Sequence, residues 1–191
     1  THTIEQYITV PTENKLQERQ AEAILSTLIE IAPKIMNDPS DYNAAANLMW
    51  CATNALCGQL RCGVPTDWAT HMIGHELTAL YGIDHARSLA IIVPRLYEHQ
   101  FANKKEKLVQ YGKRVWGLSE NDDNAAREAI RKTEEFFHSL HVPTRLSEYT
   151  SNTDHAAEII RERFIDRGWT AMGERQAITP DDVFAIVESA L

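Results

Sequence analysis

Apolar side chains return every three to four positions along most of this chain, and the alternation expected of a half-buried strand appears nowhere at length. Over 16–37 the residues Leu16, Ala23, Ile24, Leu28, Ile31 and Ile35 keep helical spacing, with Pro33 placed to kink or shorten the end. Asp38-Pro39-Ser40 breaks the pattern, and Asp41 can cap a second helix over 42–60. That segment is rich in Ala, Leu, Met and Trp and apolar on most sides, which predicts a place at the centre of a bundle. A turn at Gly63-Val64-Pro65-Thr66-Asp67 leads into a helix over 67–81, ended by Gly82. Further helices are expected over 84–101, interrupted at Pro94, and over 104–116, with Leu108, Tyr111, Val115 and Trp116 facing inward. Ser119 and Asp122 signal the start of a helix to 140, and a shorter one covers 153–167. Thr179-Pro180-Asp181-Asp182 combines a cap, a proline at the first helical position and acids in the first turn, opening a last helix that runs to the C-terminus. The pattern predicts an all-α fold, a helical bundle of about seven to nine helices.

At 191 residues and 43% hydrophobic content, the chain can bury a core within one domain, 1–191. The formal net charge of −8 repels phosphate backbones, so no nucleic acid partner is expected. No apolar run approaches the ~18 residues of a membrane span, and no signal peptide is visible. The cysteines Cys51, Cys57 and Cys62 form no CxxC pair, which fits free thiols and a cytoplasmic setting. The run Asn103-Lys104-Lys105-Glu106-Lys107 reads as a solvated charged face. The chain opens Thr1-His2-Thr3 with the helical pattern already under way, and the expectation is a fragment preceded by a further segment.

Candidate chemistry concentrates in the histidines. His71 and His75 are four apart, so a helix presents both on one face, one turn apart. His85 follows Gly82 closely enough for a turn to fold it back toward them, and neutral imidazoles converging on a point are common metal ligands. For the pair alone a surface or core role is the commoner reading, and His85 brings metal binding only level with it. His75-Glu76 does not begin a metalloprotease HExxH, because position 79 is Ala79. No carboxylate is an evident general base beside the cluster, which disfavours a metal hydrolase. His99, His138, His141 and His155 lie in charged or solvent-facing contexts and read as structural or surface residues.

Three stretches carry a family resemblance: His2-Thr3-Ile4-Glu5-Gln6-Tyr7; the long segment from Gly63 to Ala79, with Asp67-Trp68-Ala69-Thr70-His71-Met72-Ile73-Gly74-His75-Glu76 at its centre; and Gly82-Ile83-Asp84-His85-Ala86-Arg87-Ser88-Leu89-Ala90-Ile91. In order, spacing and flanking residues the sequence resembles the iron-containing alcohol dehydrogenases, within their butanol-dehydrogenase-like, NADPH-preferring branch. The resemblance implies two domains: an α/β domain that binds the nicotinamide cofactor, absent from this chain, and an all-α metal-binding C-terminal domain, which this chain matches. It implies a divalent metal, Fe²⁺ or Zn²⁺, held by His2, His71 and His85, with an aspartate four residues before His2 as the fourth ligand, ahead of Thr1. His75 matches a histidine near the reacting centre that serves proton movement or substrate positioning and is not a ligand. Where many relatives carry a glycine-rich stretch after the third histidine, this chain has Ala86-Arg87-Ser88. The implied function is the interconversion of small alcohols with aldehydes or ketones using NADP(H) or NAD(H), with a homodimer as a common family assembly. The alternative is a helical module that binds a metal or a partner without chemistry.

Overall fold

The computed structural model describes residues 1–119 and 122–191. Among these lie nine α-helices: α1 (His2–Tyr7), α2 (Lys15–Asn37), α3 (Tyr42–Leu56), α4 (Ala69–Tyr81), α5 (His85–His99), α6 (Phe101–Arg114), α7 (Asp123–Ser139), α8 (Ala156–Asp166) and α9 (Pro180–Glu188), with one 3₁₀ turn at Leu146–Glu148. Extended pairing among the described residues is confined to an isolated antiparallel bridge between Met172 and Ile178. The fold is all-α, as the periodicity predicts. None of the described helices is long and apolar enough to cross a membrane.

Three helix starts follow the local chemistry. Asp41 caps α3 by accepting from the Ala44 amide at 3.0 Å, and Asp122 caps α7 through the Asn124 and Ala125 amides. Thr179 and Asp182 form a reciprocal capping box at α9, with Pro180 just inside. That helix ends at Glu188, short of the C-terminus expected for it.

Two expectations about the interior are corrected. The central helix is α5, not α3. Every residue of α5 from Ser88 to Leu96 except Arg95 is buried, and the helix packs against α4, α7 and α9. Pro94 does not interrupt it. Loss of one backbone donor and a clash with the preceding turn are local costs, and the buried Ile91, Ile92, Val93 and Leu96 around it hold the helix in register. Pro33 likewise lies inside α2, which continues to Asn37. By contrast, α3 packs on α2 and touches α1 through Ala44, Cys51 and Ala55. It leaves Tyr42 81% and Trp50 70% exposed, with Met49 and Leu56 also exposed. Its fifteen residues include no charged side chain, so the apolar composition that predicts a central place marks no outer face.

The solvated face predicted for 103–107 is also corrected. Lys105 and Glu106 are exposed, but Lys104 and Lys107 are buried. Lys107 donates to Glu18 at 2.7 Å inside a polar network that Gln110, Glu22, Tyr7 and Arg114 complete between α1, α2 and α6.

Candidate metal centre

The site is assembled from a short helix and a tight hairpin. Gly82 takes φ 67°, a left-handed conformation that glycine adopts without penalty, and its amide closes α4 on the Thr78 carbonyl at 2.9 Å. Three residues later α5 begins at His85, so the chain reverses within Gly82–Asp84. Gly74 lets the two helices approach: a Cβ there would stand 2.9 Å from Leu89 Cδ2 and 3.2 Å from Ser88 Oγ. Ser88 Oγ in turn donates to the His85 carbonyl at 2.9 Å and accepts from Thr78 Oγ1 at 3.2 Å, fastening the start of α5 to α4.

The first amides of α4 are capped by carboxylates. Asp67 Oδ1 accepts from the Ala69 amide at 2.8 Å. Glu5, on α1, accepts the Thr70 and His71 amides at 2.8 and 3.3 Å, meeting amides that the first turn of a helix leaves unpaired. The other Glu5 oxygen meets His71 Nδ1. The backbone of α1 is tied in as well, since the Asp67 amide donates to the Glu5 carbonyl at 2.9 Å.

This framework brings His2, His71 and His85 together: one nitrogen from each ring lies within 4.8 Å of the others. The ring centroids stand 4.6 Å apart for His2 and His71, 5.2 Å for His71 and His85, and 6.1 Å for His2 and His85. His71 is buried, His2 half-buried and His85 exposed, so the gap between them opens to one side. His75 is exposed one turn along α4, its ring 5.1 Å from that of His85 and 6.0 Å from that of His71, and it is outside the triad. Trp68 packs edge-on to His71 at 5.2 Å and also walls an open groove shared with Met72, Trp169 and Met172. The other histidines lie elsewhere: His99 bonds Asp182 and His138 bonds Thr144, while His141 and His155 adopt positive φ in turns.

The donor set fits a divalent cation. His71 Nε2 is buried and has no hydrogen-bond partner. The tautomer with its proton on Nδ1, toward Glu5, leaves the Nε2 lone pair aimed into the gap. Backing a ligand histidine with a carboxylate in this way fixes the ring and raises its basicity. Burial pushes His71 down to about 4 and His2 down to about 4, and it lowers His85 as well, so each imidazole favours its neutral, donor form. Burial and the nearby Asp67 raise Glu5 to about 8, against the downward pull of the His71 and Thr70 amides.

The sequence reading gives Glu5, Asp67 and Lys104 no role at the site. Glu5 shares a face with His2 at i+3, the only local signal it carried. The carboxylate whose absence disfavoured a hydrolase is therefore present, but it is fully buried behind His71, away from the open side, where it can orient an imidazole and cannot reach a solvent nucleophile.

An all-helical unit that converges three neutral imidazoles on a half-open gap, one of them held by a buried carboxylate, is a candidate centre for a divalent metal with nitrogen ligands. The chain belongs to the Fe-containing alcohol dehydrogenase family: the description of that family's C-terminal part matches residues 1–191. It is 46% identical to the NADPH-dependent aldehyde reductase YqhD of Escherichia coli strain K12 over 190 residues, 99% of this chain and 49% of the relative. It is 36% identical to the NADH-dependent butanol dehydrogenase A of Clostridium acetobutylicum over 192 residues, again 99% of this chain and 49% of the relative. The substrate- and cofactor-free structure of the E. coli aldehyde reductase superposes with a TM-score of 0.95 at 45% identity, covering 100% of this chain and 50% of that one. The chain thus spans about half the length of the curated relatives it matches.

Proposed function

We propose that residues 1–191 form the metal-binding domain of an NAD(P)H-dependent alcohol dehydrogenase or aldehyde reductase, completed in the full-length protein by a preceding cofactor-binding domain. The observation that carries this reading is the convergence of His2, His71 and His85 with a buried, unpartnered His71 Nε2. The names of the relatives, an NADPH-dependent aldehyde reductase and an NADH-dependent butanol dehydrogenase, supply the reaction class.

His2, His71 and His85 would hold the metal, with the aspartate expected four residues before His2 as fourth ligand. When bound, a divalent ion supplies a Lewis acid for the oxygen of the alcohol or carbonyl substrate. Imidazole and carboxylate donors suit Fe²⁺ and Zn²⁺ alike. Glu5 holds the His71 ring by Nδ1, so Nε2 keeps one direction. The open side of the triad leaves room for substrate, and the apolar walls of the adjoining groove, Trp68, Met72 and Trp169, suit the hydrocarbon part of a small alcohol or aldehyde. His75, exposed and beside His85, would take the hydroxyl proton and pass it to water, the general-base role open to an imidazole.

The test is anaerobic titration of the full-length protein with Zn²⁺ and Fe²⁺, paired with NADPH- and NADH-linked reduction of short aldehydes. One equivalent should bind, His71→Ala and His85→Ala should lose it, and His75→Ala should keep the metal with slower turnover. Equal metal loss in all three variants would refute the division of roles. Metal binding without any nicotinamide-linked turnover would favour the non-catalytic module.

A further inference from the structure

Lys104 lies deep inside the molecule, with its side chain 2% exposed, and its ammonium meets three separate segments of chain. Nζ donates to the Ile8 carbonyl at 3.0 Å, approaches Asp67 Oδ2 at 2.9 Å, and contacts both Glu174 oxygens at 3.1 and 3.0 Å. The Asp67 and Glu174 side chains are as buried as the lysine. The Tyr97 ring, 5.8 Å from Nζ, closes another side.

Each partner is a control point of the candidate site. Ile8 is the C-cap of α1, the helix that carries His2 and Glu5. Asp67 caps the start of α4 through Ala69 and reaches back to the Glu5 carbonyl through its own amide. Glu174 belongs to the turn closed by the Met172–Ile178 bridge, whose Gly173 lies close against Asp67. The helices that bear His2 and His71 belong to different parts of the bundle: α1 packs mainly on α2 and α3, and α4 mainly on α5. The two helices share the apolar core through Ile4, Ile8, Ala69 and Ile73, and the polar ties between them are the Glu5 bonds and the Lys104 node. The node also has a charge logic, since a buried ammonium between two buried carboxylates is tolerable only when its geometry is held.

We propose that Lys104 is a positioning residue for the metal centre, acting through Asp67 and Ile8 to fix the separation of His2 from His71. The proposal rests on the metal reading above. A structural ion pair that merely stabilises the fold would be indifferent to the ligand spacing; this one fastens the end of one ligand-bearing helix to the start of another.

Co²⁺ is the probe, because its visible absorption reports ligand number and geometry. In the full-length protein, Co²⁺ titration would be run on the parent, Lys104→Met and Asp67→Asn, beside near-UV circular dichroism and the unfolding midpoint of each metal-free form. Asp67→Asn is close to isosteric, keeps an oxygen for the Ala69 amide and removes the charge facing Lys104, so it carries the test should Lys104→Met not fold. The expected result is a loss of Co²⁺ affinity of about tenfold or more, within the range for outer-shell partners, with an altered visible band while the near-UV spectrum stays native. Lower unfolding midpoints with parental affinity and band would overturn the positioning role and leave the metal reading standing. No Co²⁺ binding by the parent would overturn the metal reading, and the proposal with it.

Discussion

At Glu5 a single carboxylate serves two backbone amides and one imidazole, and none of these contacts is visible from its place in the chain. Its neighbour in sequence is His2, whereas its working partner is His71, 66 residues away. Glu5→Gln retains an oxygen for the amides and turns an amide N–H donor, in place of a carboxyl oxygen, toward His71 Nδ1. Metal affinity of the full-length protein should fall by about 10–100-fold with the far-UV spectrum unchanged; an unaltered dissociation constant would remove Glu5 from the site. His71, His75 and His85 were legible as candidates because residue type and spacing are themselves the signal, whereas His2 entered only through the family resemblance. Glu5, Asp67 and Lys104 were not, because carboxylates and lysines are ordinary on a surface and only burial makes these three unusual.

Among the helices, the α4–α5 hairpin has little slack. Its helices meet where Gly74 faces Leu89 and Ser88, and Leu89 is itself buried. A methyl at position 74 needs Leu89 to move, so Gly74→Ala should cost about 1–3 kcal/mol and displace the first turn of α5, where His85 resides. Urea unfolding together with metal titration would register both effects, and a neutral substitution would mean that the hairpin repacks freely. Helix boundaries were largely readable because caps and glycine stops are local signals, as at Asp41, Gly82 and Thr179. The ranking of helices by depth was not. The composition of α3 records which side chains could be buried, whereas depth depends on what packs opposite. Pro94 misled for a related reason: its cost is local, and the buried neighbours that offset it come from other helices.

For the molecule as a whole, acid is the condition that should unfasten it. Glu76, buried on α4, pairs with Arg167 and with Arg163, the latter at 2.9 Å, and so joins α4 to α8. Burial pushes this carboxyl up, but the two arginines more than offset that and leave its pKa below the ordinary value. Asp182 at the α9 cap is held low in the same sense: burial raises it, and bonds from Thr179 and His99 outweigh the rise. Carboxylates whose folded pKa is depressed contribute stability that is present above the unfolded carboxyl range, ~4, and that is lost as pH falls through the folded value. Urea midpoints measured from pH 6 downward should therefore decline near and below pH ~4, and less steeply in Glu76→Gln, which starts from a lower midpoint. Parallel curves would show that this cluster is not the acid-sensitive joint.

The outer face of α3 gives the molecule a colloidal character that its composition hides. A net charge of −8 keeps copies of the chain apart in dilute buffer. Added ammonium sulfate screens that repulsion and, at the same time, raises the cost of wetting Tyr42, Met49, Trp50 and Leu56. The two effects act in one direction, so light scattering by this 191-residue chain should rise with salt rather than fall. Trp50→Lys, which puts a charge on a helix that has none, should shift that onset to higher salt; an unchanged onset would show that the self-association arises elsewhere on the surface.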